Sequence, residues 1–152
     1  MRLVIQRVTH ASVTVDGEIV GQCGLGFCIL AGVKNGDTPA EAQWLAHKAA
    51  NLRVFEDDAW KMNLSLLDVK GGALVVSQFT LYADAQRGRR PDFIDAAPPD
   101  QAESLVDTFV QQLRAAGVPT QTGVFRATMQ VEIHNDGPVT ILLEKEPPQS
   151  YP

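Results

Sequence analysis

The chain has 152 residues, a net charge of −5 and 45% hydrophobic residues, which suits one domain around one core. Its acidic balance argues against general nucleic-acid binding by long-range attraction. The start, "MRLVIQRVTH", carries Arg2 and Arg7 and no apolar run long enough for a signal peptide or a membrane helix. Cys23 and Cys28 flank a "GLG" turn in an apolar run without the further Cys or His that a zinc site needs. They read as buried structural thiols of a cytoplasmic protein with no membrane partner.

In chain order, "LVIQRV" (3–8) and "ASVTV" (11–15) alternate apolar and polar residues as two strands, with His10 in the turn between them. Asp16-Gly17 then makes a two-residue turn into the strand "EIVGQC". "LGFCILAGV" (25–33) is continuously apolar, so it predicts a central strand buried on both faces. "TPAEAQWLAHKAANL" predicts a helix, with Thr38 as N-cap, Pro39 at the first helical position and Glu41 closing a capping box. Ala42, Leu45, Ala49 and Leu52 recur on its apolar face. "RVFEDD" reads as a short strand, "KMNLSLLDV" (61–69) as irregular, and "ALVVSQFTLYAD" (73–84) as the strongest strand.

A second helix is predicted over about 98–116. Pro98 and Pro99 open it, Leu105, Val106, Phe109 and Leu113 form its stripe, and Gly117 ends it ahead of Pro119. Two last strands, about 123–134 and 138–144, flank a turn at Gly137-Pro138. Residues 1–145 then form the domain, and 146–152, the last seven residues of "EKEPPQSYP", form a disordered tail. The expected architecture is α+β: a single domain with a mostly antiparallel, partly barrel-like β-sheet and two helices packed against it.

Two stretches carry candidate chemistry. "QRGRRPDF" places Arg87, Arg89 and Arg90 around a glycine in a loop, either a solvated basic loop or a small clamp for phosphates at one end of an RNA. In "SQFTL" the polar side chains of a central strand need partners, either adjacent backbone or a site that polarises a substrate carbonyl. His10, His47 and His134 belong to no nucleophilic motif, and there is no Walker loop, G-x-G-x-x-G or metal-ligand cluster. No cofactor or metal is therefore expected. Hydrolysis without a strong protein base would rest on positioning and oxyanion stabilisation, which suits an activated substrate.

"SQFTLYAD" followed by "GRRPDF" and "TGVFRATMQVEIHNDGPVTI", with "QRVTHASVTVDG" and "KMNLS" upstream, resembles the D-aminoacyl-tRNA deacylase family over nearly the whole chain. The resemblance implies a cytoplasmic homodimer with active sites at the subunit interface. It would cleave D-amino acids from the 3′ end of aminoacyl-tRNA, and glycine mischarged on tRNA(Ala). It also implies roles for particular residues. Ser77, Gln78, Phe79 and Thr80 would line the catalytic pocket, and Phe125 and Met129 would lie near the adenosine. Gly137 and Pro138 would form a Gly-cis-Pro element reaching into the partner's pocket, held by Arg7. His134, next to Asn135, and the proline-rich tail depart from the family pattern without touching these motifs.

A rigid pair of main-chain oxygens would accept a bond from the substrate's α-ammonium and leave no room for an L side chain. Two chemistries remain open: Thr80 as covalent nucleophile, or the neighbouring ribose 2′-OH orienting the attacking water. The missing base beside Thr80 favours the second. Two other functions stay open as well, a deacylase of the same fold with different amino-acid specificity and a non-catalytic tRNA-end binding protein.

Overall fold

Residues Arg2–Val15 run as one 14-residue strand, β1, where the sequence predicts two. His10 lies inside it and pairs with His134 instead of turning the chain. The turn at Asp16 (φ +50°) and Gly17 (φ +81°) has the left-handed pair that a tight two-residue hairpin requires. It leads into β2 (Glu18–Cys23) and β3 (Gly26–Gly32). A computed structural model describes residues 1–150; residues 151 and 152 of the expected tail lie outside the described residues.

The first helix, α1 (Pro39–Asn51), begins as predicted: Thr38 and Glu41 form the capping box. Burial would raise the Glu41 carboxyl, but bonds from the Thr38 hydroxyl and N–H outweigh it and hold the group below its ordinary value. A correction follows at β4 (Arg53–Glu56), because part of the segment read as irregular, Met62–Ser65, is a strand, β5, paired antiparallel with β4. Asp57 closes this hairpin by accepting bonds from the Ala59 and Lys61 N–H groups, a local signal that alternation cannot register.

A second correction concerns residues 73–84. The strand β6 (Gly72–Ser77) stops at Ser77, and Phe79–Tyr82 coil into a 3-10 turn. The Gln78 N–H still reaches the Ala31 carbonyl at 2.8 Å, but β3 ends at Gly32, so the ladder has nothing left to pair with. The turn folds over Gly32, whose missing side chain admits Leu81 and the Gln78 carbonyl. After α2 (Pro99–Ala115) and the short β7 (Thr120–Thr122), the last strand β8 (Gln130–Glu144) is continuous. It pairs with β1 on both sides of residues 136–139, so Gly137-Pro138 is a bulge in one strand and not the turn between two.

The main sheet runs β2-β1-β3-β6-β7 with β8 on the other edge of β1. The β1 pairings are antiparallel, whereas β3–β6 and β6–β7 are parallel. β7 comes back towards β2: the Gln22 N–H donates to the Gln121 side chain at 2.9 Å, which curls the sheet towards a barrel.

Both faces of β3 and β6 are covered, which is why their sequences are apolar throughout. Phe27, Ile29, Ala73 and Val75 face the helices and join Leu45, Phe109 and Leu113. Cys28, Leu74 and Val76 face the barrel interior with Val8, Val13 and Cys23. Both cysteines are free and buried, and burial, then Cys23, pushes the Cys28 thiol up to about 12, so neither is a ready thiolate. No helix among the described residues is long and apolar enough to cross a membrane.

Candidate active site

The parallel strands β3 and β6 end side by side at the pair Ala31 and Ser77, and a cavity of 730 Å³ opens beyond their carboxyl ends. Its other walls are the 3-10 turn, the Pro98-Pro99 start of α2 and the loop 123–129. Ser77, Gln78, Phe79, Thr80, Phe125 and Met129 all line it. Phe125 and Met129 stand on a loop, not on the strand that the sequence predicts over 123–134.

Of these groups, the Gln78 amide donates to the Thr80 hydroxyl at 3.0 Å. No carboxylate or imidazole lines the cavity among the described residues. Phe79 and Thr80 open a helical turn, so their N–H groups have no partner within it. From behind, Arg2 donates to the Leu81 carbonyl at 2.7 Å, its guanidinium lies 4.6 Å from the centre of the Tyr82 ring, and Tyr82 donates to Glu144 at 3.2 Å. Burial pushes the Tyr82 phenol well above its ordinary value, so it remains a donor. The turn is thereby fixed to β1 and β8 at the wall of the cavity.

Sequence reasoning assigned no role to Asn35, Phe93 or Arg126, which share the same walls. Arg126 sits at φ +67°, a local conformation with no glycine or asparagine to announce it. A smaller cavity of 170 Å³ lies across the wall made by Ser77, Phe125 and Met129, and contains Glu103 and Asp107.

Arg7, Gly137 and Pro138 do not line the cavity. Arg7 pairs with Phe27 on β3, whereas Ser77 pairs with Ala31, four residues and about 13 Å further along the strand. Opposite Arg7, residues 136–139 bulge out of β8. Buried Arg7 donates from Nε to the Asp136 carbonyl at 3.1 Å, and from Nη1 to the Val54 carbonyl at 2.7 Å and to Glu56 at 2.8 Å. That bond to Arg7 holds the Glu56 carboxyl below its ordinary value. Asn135 accepts from the Val139 N–H at 3.0 Å across the neck of the bulge. The Gly137–Pro138 peptide is cis, Gly137 has φ +132°, and both residues are exposed.

The basic loop projects from the cavity rim. Reciprocal backbone bonds between Asp84 and Asp92, at 2.9 and 3.0 Å, close it, and Gly88 at φ +69° turns its tip. Arg87, Arg89 and Arg90 are exposed there, and the ion pairs among the described residues do not include them.

A sequence profile of the family described as D-Tyr-tRNA(Tyr) deacylase matches residues 4–144. The D-aminoacyl-tRNA deacylase of Thermomicrobium roseum is 64% identical over 95% of this chain and 94% of its own length. That of Fervidobacterium nodosum is 56% identical over 96% and 98%. Among solved structures, a c-Myc DNA unwinding element binding protein superposes with a TM-score of 0.91 at 46% identity, covering 97% of this chain and 100% of that one. A probable eukaryotic D-amino acid tRNA deacylase shares the fold, with a TM-score of 0.79 at 16% identity over 93% of this chain and 97% of that one. On the profile match and these identities, the chain belongs to the D-Tyr-tRNA(Tyr) deacylase family.

Proposed function

We propose that the protein hydrolyses the ester between a D-amino acid, or glycine mischarged on tRNA(Ala), and the 3′ end of tRNA. It does so without a cofactor, in the cytoplasm. The observation that carries this reading is the meeting of Ser77, Gln78, Phe79, Thr80, Phe125 and Met129 around one cavity in a chain of this family. Water adds to the ester carbonyl carbon while the Phe79 and Thr80 N–H groups take up the developing oxyanion. The carbon–oxygen bond to the ribose then breaks, and the proton released from water passes to the departing ribose oxygen. With no base in the cavity, the neighbouring 2′-OH orients the water and Thr80 only positions it.

In this reading the working unit is a homodimer, in which Gly137 and Pro138 of one subunit enter the cavity of the other. Two observations support it. The bulge is exposed and offset from its own cavity, and β8 presents a long strand edge that pairs with no other described strand and carries exposed Leu142. Incubation with D-Tyr-tRNA is expected to release free D-tyrosine. Tight binding without release would make the protein a tRNA-end binder, and release from L-aminoacyl-tRNA would make it a deacylase of different specificity.

Arg87, Arg89 and Arg90 hold tRNA phosphates in this scheme. Replacing all three with Ala is expected to weaken tRNA binding and to make its dependence on salt shallower by up to about two log units per log unit, since each phosphate contact on a single strand contributes about 0.7. Filter binding across a salt series reads this slope. An unchanged slope would leave the loop merely solvated.

A further inference from the structure

The cavity does not end at its aromatic rim. Phe79 is 57% exposed and Phe93 36%, their rings meet edge to face with centroids 5.0 Å apart, and Ile94 beside them is 78% exposed. Large apolar side chains grouped at the mouth of a site mark a surface that binds an apolar face. The pair is also held in place before any ligand arrives. Asn35 donates from its side chain to the Ile94 carbonyl at 2.9 Å and from its N–H to the Asp95 carbonyl at 2.9 Å. The Ala96 N–H closes onto the Phe93 carbonyl at 3.1 Å.

Phe93 directly follows Asp92, which closes the loop that carries Arg87, Arg89 and Arg90, and Phe79 meets it from the 3-10 turn before Asp84. From its closure at Asp84 to its tip at Gly88 the loop can extend no more than about 13 Å. A strand leaving the cavity for the arginines therefore crosses the aromatic pair first, within one or two nucleotides of its end. We propose that Phe79 and Phe93 form a stacking platform for the base of the nucleotide that precedes the terminal adenosine. This inference rests on the deacylase reading. Its chemistry is that of single-strand recognition, in which unpaired bases stack on aromatic rings regardless of sequence. Phe79 then has two jobs, its N–H at the ester and its ring under the next base.

The test compares D-aminoacyl-adenosine with the same amino acid on cytidylyl-cytidylyl-adenosine. In the wild-type protein the longer substrate is expected to have a kcat/KM about 5- to 150-fold higher, the equivalent of about 1–3 kcal/mol per stacked base. Phe93→Ala is expected to lower that ratio about fivefold or more, and Phe93→Tyr to retain it. Calorimetry with uncharged trinucleotide and adenosine gives the same ratio without hydrolysis. A wild-type ratio near one, or a ratio untouched by Phe93→Ala, would overturn the platform. A preserved ratio with no hydrolysis of either D substrate would overturn the deacylase reading and leave the platform standing.

Discussion

A D-aminoacyl ester on a terminal 2′-deoxyadenosine is expected to be cleaved about 10²–10⁴-fold more slowly than the ribose ester, the usual range for losing a group that positions or transfers a proton. Thr80→Ala, in contrast, is expected to stay within about tenfold of wild type. The asymmetry follows from what surrounds the hydroxyl. Thr80 accepts a bond from the Gln78 amide, which occupies one of its lone pairs, and among the described residues no carboxylate or imidazole lines the cavity to take its proton. A threonine nucleophile would be nearly inert in that setting, whereas a ribose hydroxyl next to the ester arrives with the substrate. Single-turnover rates on the two esters, with wild-type and Thr80→Ala protein, check both halves. An acyl adduct trapped on Thr80 would reverse the assignment.

Gly137→Ala is expected to lower kcat/KM on D-aminoacyl-tRNA by about 10²-fold with the fold intact, comparable to a misplacement of about 1 Å in a catalytic constellation. An added Cβ would sit 2.8 Å from Val139 Cγ2 and 3.2 Å from the Arg7 guanidinium, at a φ of +132° that L side chains rarely adopt. The bulge has little slack to absorb this. Arg7 grips it through the Asp136 carbonyl and Asn135 ties its neck to Val139. Arg7→Ala is expected to produce a similar loss by releasing the same element, because β4 reaches the bulge through the bonds from Arg7 to the Val54 carbonyl and Glu56. Circular dichroism separates a displaced bulge from an unfolded chain. Wild-type activity in both variants would mean that the element takes no part in catalysis.

How much of this was legible in the sequence depended on whether the signal was local. The capping box at Thr38 and Glu41 needs only four residues, and it set the start of α1 correctly. β3 was legible because burial on both faces leaves an unbroken apolar run. The end of β6 at Ser77 was not legible, because Phe79, Thr80, Leu81 and Tyr82 are all good strand residues and the strand stops only for want of a partner beyond Gly32. Asn-Asp-Gly-Pro reads as a turn at short range, and only its pairing with β1 makes it a bulge. The residues around the cavity come from four separate segments, so the resemblance could group Ser77–Thr80 with Phe125 and Met129, while Phe93 and Arg126 appeared only once the chain was folded.

Chiral selection is read by setting Gly-tRNA(Ala) against L-Ala-tRNA(Ala), two substrates that differ by one methyl group. A binding pocket that merely prefers one over the other gains about 1–3 kcal/mol from a group of that size, or roughly 10- to 200-fold. If main-chain atoms of Gly137 and Pro138 form the filter as proposed, they would exclude whatever occupies the L position and be indifferent to an empty one. Wild-type protein is therefore expected to release glycine readily and to leave L-Ala-tRNA(Ala) intact even at enzyme concentrations well above those that clear the glycyl ester. Similar rates on the two would contradict this, and would reduce Gly137-Pro138 to a bulge in β8.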